Sequence, residues 1–264
     1  MNDKPIGIFD SGVGGVTVLK ELQKLLPNED YIYIGDTASF PYGSKSKKTI
    51  IELCKKRIEN LIDMEVKIIV IACGTATSQA LEEMRKIFNI PIIGIIKPTV
   101  KYLKGKNYKN IGVIATTGTI RSNGWEENIR KSIPDAKVQN KACPLLAPMA
   151  EEGWTNNEIA KLAVHEYIKD IKDIKDIEAL ILGCTHYPLF KEIIERELKS
   201  NVDIINTGEM VAEELKEFIY ANNLENSTEK SGNTEIFLTD LECNFINVAK
   251  SLMQKDRIDI QKID

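Results

Sequence analysis

Short apolar runs alternate with longer amphipathic stretches along almost the whole chain. The runs at 6–9, 31–34, 67–71, 92–95, 111–114, 179–182 and 203–205 are continuously apolar enough to predict strands buried on both faces. Between them, 16–26, 46–63, 76–88, 119–132, 156–174, 188–198 and 209–222 carry helical apolar spacing. A polar stretch at 223–233 predicts a loop; 235–238 then predicts one more strand and 244–253 one more helix. Strands alternating with helices predict an α/β protein of mainly parallel sheets flanked by helices. Lys-Asp-Ile occurs three times over at 169–177, and its alternating charges predict a solvated helix face or a fraying helix end.

A faint internal repeat divides the pattern. Ile6-Gly-Ile-Phe-Asp returns as Ile111-Gly-Val-Ile-Ala, and Ile71-Ala72-Cys73-Gly74-Thr75 returns as Leu182-Gly183-Cys184-Thr185. Both pairs recur in order and at nearly the same offset. Two related halves follow, each with a cysteine at the C-terminal end of a strand.

Composition narrows the function classes. The chain has 264 residues, 43% hydrophobic and 28% charged, with a net charge of −4. This excludes a disordered chain and gives no dominant positive field for nucleic acid. No uncharged apolar stretch is long enough to span a bilayer, and the first residues lack an apolar signal core. The expected address is cytoplasmic. The five cysteines are odd in number and widely spaced, with no C-x-x-C pair and only two histidines, His165 and His186. A disulfide framework and a structural zinc site are therefore not expected. Cys54 and Cys243 lie on or near predicted helices and are expected to pack; Cys143 carries no functional context, and His165 is given no role.

Ligands of open parallel sheets bind beyond the carboxyl ends of the strands. Four segments put small polar groups there. Asp10-Ser11-Gly12-Val13-Gly14-Gly15 is no dinucleotide loop, because Thr17 stands where the last glycine should be, and it lacks the lysine of a phosphate loop. Its glycines still allow close backbone approach to an anion at a helix N-terminus; a plain tight turn capped by Asp10 is the simpler reading. Cys73-Gly74-Thr75 and Cys184-Thr185-His186 each follow a predicted strand and precede a predicted helix. A helix N-terminus there would lower a thiol pKa from its usual value of about 8.5. Pro41-Tyr42-Gly43-Ser44 offers a tyrosine that could close over a ligand. Two thiols in matching contexts fit proton transfer at carbon, one removing a proton from one face and the other returning one. A cysteine amidase or protease, with His186 as base for Cys184, is the competing reading, but it leaves the second cysteine idle.

Taken together, Asp10-Ser11-Gly12-Val13-Gly14-Gly15, Gly35-Asp36-Thr37-Ala38, Pro41-Tyr42-Gly43, Ala72-Cys73-x-Thr75-Ala76 and Gly183-Cys184-Thr185-His186-Tyr187-Pro188 strongly resemble the glutamate racemases of the aspartate/glutamate racemase superfamily. The resemblance implies a cofactor-independent, metal-free 1,1-proton transfer between L- and D-glutamate, supplying D-glutamate for peptidoglycan. It implies that Cys73 acts on the Cα–H of the D-enantiomer, assisted by Asp10. It assigns the L-enantiomer to Cys184, assisted by His186, with Glu151 supporting the histidine. Asp10, Ser11, Tyr42, Gly43, Gly74, Thr75, Thr185 and His186 fall at family substrate contacts, and Thr116, Thr117 and Thr119 near a loop that also reaches the pocket. The implied fold is two pseudo-symmetric α/β domains, 1–97 plus 208–264 and 98–207, with the active site at their interface. A homodimer is expected from the family, with small-molecule glutamate as the partner and neither nucleic acid nor membrane.

Three positions depart from the family pattern. Cys-Asn-Thr is usual where this chain has Cys73-Gly74-Thr75, Glu-Pro where it has Lys97-Pro98, and Asp-Ser where it has Asn206-Thr207. A lost buried hydrogen bond costs about 0.5–1.5 kcal/mol. Weaker substrate binding is therefore expected, and Gly74→Asn is expected to lower the KM for glutamate. The alternatives are a racemase for aspartate or another small carboxylate, and a non-catalytic amino-acid-binding paralogue.

Overall fold

The strands sort into two sheets with the same internal order. In this computed structural model the described residues are 1–172, 176–198, 201–227, 230–241, 244–254 and 257–264. Cys243 and residues 173–175 of the Lys-Asp-Ile repeat lie outside them. The first sheet contains β1 (Ile6–Asp10), β2 (Tyr31–Gly35), β3 (Ile68–Ile71) and β4 (Ile92–Gly94). The second contains β5 (Asn110–Ala115), β6 (Lys137–Ala142), β7 (Ala179–Leu182) and β8 (Asp203–Asn206). β9 (Thr234–Leu238) and β10 (Ile260–Lys262) extend the first sheet beyond β2. The orders are β10-β9-β2-β1-β3-β4 and β6-β5-β7-β8, with every pairing parallel.

The internal repeat is visible in the register. Ile6 pairs with Ile68 as Ile111 pairs with Ala179, and Phe9 pairs with Ile71 as Ile114 pairs with Leu182. Cys73 and Cys184 each stand two residues past those last pairs. The two thiols therefore leave equivalent points of two related sheets.

Side chains of successive strand residues face opposite ways, and each sheet buries both faces. Ile6, Ile8, Ile68 and Val70 of the first sheet share one buried cluster with Ile111, Val113, Ala179 and Ile181 of the second. Phe9, Ile69 and Ile71 belong to a separate cluster with residues of the helices Lys47–Asp63 and Gly74–Ile87. Ile114, Leu180 and Leu182 belong to a third, with residues of the helices Leu146–Glu151 and Glu158–Lys172. Ile168 and Ile171 are buried in that third cluster at the start of the Lys-Asp-Ile repeat, while Asp170 is exposed.

Some elements differ from the sequence expectation for clear reasons. β6 reads Lys-Val-Gln-Asn-Lys-Ala and lies at a sheet edge with one side half exposed, so it lacks the apolar run of a central strand. The helix Ile96–Lys106 carries Pro98 in its first turn, where a missing N–H costs nothing. The helix expected at 119–132 is split into Thr117–Arg121 and Gly124–Ser132 by Asn123, whose φ is 56°. Asn206 caps the helix Thr207–Ala221 by accepting the Gly208 N–H at 3.0 Å. Lys97 is exposed and pairs with Glu82, so neither of these family departures touches the cleft described below.

A buried ion pair ties the rim of the first sheet together. Lys67 Nζ donates to Glu29 Oε2 at 2.5 Å and to the carbonyls of Asn2 and Leu224, while Glu29 Oε1 accepts the Asn226 N–H. Both side chains are almost fully buried. Lys67→Met leaves Glu29 buried without its countercharge, and a loss of about 3–5 kcal/mol in urea unfolding is expected. A loss below about 1 kcal/mol, the range of an exposed pair, would contradict that reading.

Candidate active site

The carboxyl ends of both sheets converge on one cleft of about 230 Å³. Ser11, the segment from Phe40 to Ser44, and Cys73-Gly74-Thr75 line it from the first sheet's side. Thr116, Thr117, Arg121, Pro144, Ala147, Pro148 and Cys184-Thr185-His186 line it from the second. The two cysteines thus reach one cavity from two different sheets.

The two thiol loops touch backbone to backbone. A Cβ built on Gly74 would lie 2.2 Å from the carbonyl oxygen of Gly183. Gly183 is itself held, because its N–H donates to the Ile114 carbonyl at 2.8 Å. Gly43 makes a similar crossing, where a Cβ would meet the Thr116 side chain at 2.6 Å. The expectation that Gly74→Asn would simply restore a hydrogen bond is therefore corrected: an asparagine has no room at this spacing.

Each thiol has its own surroundings. Cys73 is the N-cap residue of the helix Gly74–Ile87, and its Sγ lies 3.7 Å from Ser11 Oγ. Burial, reinforced by the negative charge of Asp10, pushes this thiol up to about 12, against the pull of the Ala76 N–H and Ser11. The helix N-terminus acts in the expected direction but is outweighed. Cys184 does not begin a helix. A 3₁₀ turn, Tyr187–Phe190, intervenes before the helix Lys191–Glu197, with Pro188 inside the turn. In place of a helix terminus, Cys184 Sγ has His186 Nδ1 at 3.6 Å.

His186 is one member of a buried chain. Its Nε2 lies 2.7 Å from Glu151 Oε1, and the same oxygen accepts the Val13 N–H at 2.7 Å. Burial pulls the imidazole pKa down, but hydrogen bonds with Cys184 and Glu151 outweigh it and hold His186 well above its ordinary value. Replacing Glu151 by Gln removes one of those stabilising charges. The Glu151→Gln variant is therefore expected to show His186 titrating at lower pH than wild type in an NMR titration. The chain has only two histidines, so the spectrum has two signals to follow. An unmoved His186 midpoint would contradict the role of Glu151.

Asp10 lies beneath the cavity floor with no exposed surface. Its Oδ1 accepts the Gly12 N–H at 3.0 Å and its Oδ2 accepts the Thr185 hydroxyl at 3.1 Å. Burial raises its carboxyl to about 6, opposed chiefly by the nearby His186. One of its hydrogen bonds stays within its own loop and the other reaches the Cys184 loop, and its influence on Cys73 is electrostatic. Thr75 Oγ1 lies 2.8 Å from Thr116 Oγ1 and 3.1 Å from Thr119 Oγ1, a hydroxyl cluster bridging the two halves. Thr119 backs this cluster from behind the wall, as Glu151 backs His186.

Tyr42 is a fixed part of the wall. Its ring is buried and its hydroxyl donates to Asp36 Oδ2 at 2.6 Å, while Asp36 Oδ1 accepts from Thr239. It is not a lid, and the Gly35-Asp36-Thr37-Ala38 motif acts as its anchor. Sequence reasoning missed Phe40, whose ring lies tilted against that of His186 at 5.7 Å between centroids, and Arg121, whose guanidinium lines the cavity wall. Arg121 lies two residues beyond Thr119, which was the available signal. Cys54 and Cys143 are buried in the core clusters. Among the described residues no group of three or more His, Cys, Asp or Glu could hold a metal ion, and no helix is long and apolar enough to cross a membrane.

Two pseudo-symmetric parallel sheets with a thiol from each in one cleft define a two-domain α/β racemase architecture. In agreement, the sequence profile of the Asp/Glu/Hydantoin racemase family matches residues 6–215. A glutamate racemase from Sulfurihydrogenibium is 43% identical over 98% of this chain and 97% of its own. One from Geobacter metallireducens is 40% identical over 95% of this chain and 93% of its own. The crystal structure of a Francisella tularensis glutamate racemase, in complex with D-glutamate, superposes with a TM-score of 0.92 at 38% identity, covering 100% of this chain and 98% of that one. A Picrophilus torridus aspartate racemase shares the fold, at a TM-score of 0.60 and 20% identity over 83% of this chain and 94% of that one. The chain belongs to the glutamate racemase family of the aspartate/glutamate racemase superfamily.

Proposed function

We propose that this protein interconverts L- and D-glutamate by a cofactor-independent 1,1-proton transfer between Cys73 and Cys184. The observation that carries the reading is the placement of two thiols, at equivalent points of two related sheets, in one cleft. In the L-to-D direction the Cα–H bond breaks and its proton passes to the Cys184 sulfur as thiolate. The electron pair stays on Cα, and the Cys73 S–H bond breaks to deliver a proton to the opposite face. The reverse direction exchanges the roles. The upward push on Cys73 suits it to hold its proton in the resting state, and His186 Nδ1, 3.6 Å from the Cys184 sulfur, is placed to exchange a proton with it.

An amino-acid Cα–H is very weakly acidic, so the carbanion-like transition state needs fixed donors in a site that excludes water. Ser11, Thr75, Thr116, Thr117 and Thr185 supply hydroxyls around the cleft, with the backbone at Gly43 and Gly74. Asp10, Thr119 and Glu151 act as positioning residues, through Thr185, the threonine cluster and His186 respectively. The two domains, 1–97 with 208–264 and 98–207, close over the substrate. We assign the protein to the cytoplasm, as a homodimer supplying D-glutamate for peptidoglycan; light scattering at working concentration tests the dimer. The activity itself is tested by incubating each enantiomer and following chirality by chromatography. Interconversion of glutamate is expected. Interconversion of aspartate alone would transfer the reading to that substrate, and binding without turnover would contradict it.

A further inference from the structure

A second cavity, of about 330 Å³, adjoins the thiol cleft and shares Gly43, Ser44 and Arg121 with it. Lys45 and Lys47 complete its charged lining. Among the described residues no carboxylate lines either cavity. Lys45, Lys47 and Arg121 form no ion pair with any described residue. The three cations therefore cluster on one concave approach to the cleft.

Their placement also runs against local electrostatics. Lys47 opens the helix Lys47–Asp63, whose first turn contains no acid. A helix N-terminus is already positive and favours carboxylates, so a lysine there is locally unfavourable. A local rule broken without local compensation marks a functional site.

We propose that Lys45, Lys47 and Arg121 form an anion-collecting vestibule that draws the acidic amino acid into the thiol cleft. Cations lining a concave approach raise the local concentration of an anion and speed its capture. Arg121, common to both cavities, receives the anion at their shared wall. The proposal rests on the racemase reading only for the identity of the anion.

The test uses alkylation of the cleft thiols by anionic iodoacetate and neutral iodoacetamide, read at Cys73 and Cys184 by peptide mass spectrometry. The ratio of the two rates cancels intrinsic thiol reactivity. In about 10 mM salt, where the screening length is about 30 Å, K45Q/K47Q/R121Q is expected to lower that ratio on the order of tenfold. In about 1 M salt, with screening over about 3 Å, the wild-type ratio is expected to fall to that of the variant. Equal ratios in wild type and variant at low salt would overturn the vestibule. In the racemase assay K45Q/K47Q is expected to raise KM equally for both enantiomers and leave kcat in place. A wild type without glutamate turnover would count against the racemase reading, while the alkylation ratio still decides the vestibule.

Discussion

Cys73→Ser and Cys184→Ser are each expected to slow glutamate racemisation by about 10²–10⁴-fold, the contribution typical of a positioned acid or base. The loss is expected in both directions, because each direction uses one sulfur as base and the other as acid. A serine hydroxyl cannot reach the anionic form that a base requires near neutral pH. Both cysteines are nearly buried and differ from serine by one atom, so the fold should persist, with circular dichroism unchanged and a melting temperature moved by only a few degrees. The contrast with Cys54 and Cys143 sharpens the test. Those thiols are fully buried in apolar clusters, and Cys54→Ala or Cys143→Ala should affect stability and leave turnover near wild type. Near-wild-type turnover in either cleft variant would remove that residue from the reaction.

Gly74→Asn is expected to impair the enzyme, contrary to what a missing hydrogen bond alone suggests. The new Cβ would meet the Gly183 carbonyl at 2.2 Å, and that oxygen belongs to backbone fixed by β5 through Ile114. Relief requires the two thiol loops to move apart. A displacement of about 1 Å at a reacting centre costs about 10²-fold in rate, and a drop of that order in kcat is expected. Gly74→Ala separates the causes, since it adds the Cβ without the amide. Both variants should lose similar activity if spacing decides. An asparagine variant with lower KM and unchanged kcat, beside an impaired alanine variant, would show that the lost amide matters more than the spacing.

The sequence carried the periodic parts of this structure and missed those set by contacts between distant segments. The eight expected strands are all present because parallel strands covered on both faces must be continuously apolar, as in Ile68–Ile71 and Ala179–Leu182. β6 and β10 escaped because both are edge strands, which can be polar, as Lys-Val-Gln-Asn-Lys-Ala and Ile-Gln-Lys are. The two cysteine loops were legible because sheet ligands bind where strands end. Their electrostatics were not. The thiol of Cys73 is governed by burial and by Asp10, which lies far away in sequence, and Cys184 answers to a histidine held by Glu151. The contact between Gly74 and Gly183 has no sequence signature at all, since each glycine alone reads as an ordinary turn residue. The positive charges of Lys45, Lys47 and Arg121 were equally invisible, because only the fold brings residues 45 and 121 to one wall.

The most direct measurement runs L-glutamate in D₂O, stops below a tenth of full conversion, and determines deuterium at Cα in product and remaining substrate. With two thiols on opposite faces, the proton removed is not the one returned. Every D-glutamate formed should then carry one solvent deuterium, while the remaining L-glutamate keeps its hydrogen. D-glutamate that retains the substrate's own hydrogen would mean that a single group carries the proton across, and the assignment of Cys73 and Cys184 to opposite faces would be wrong.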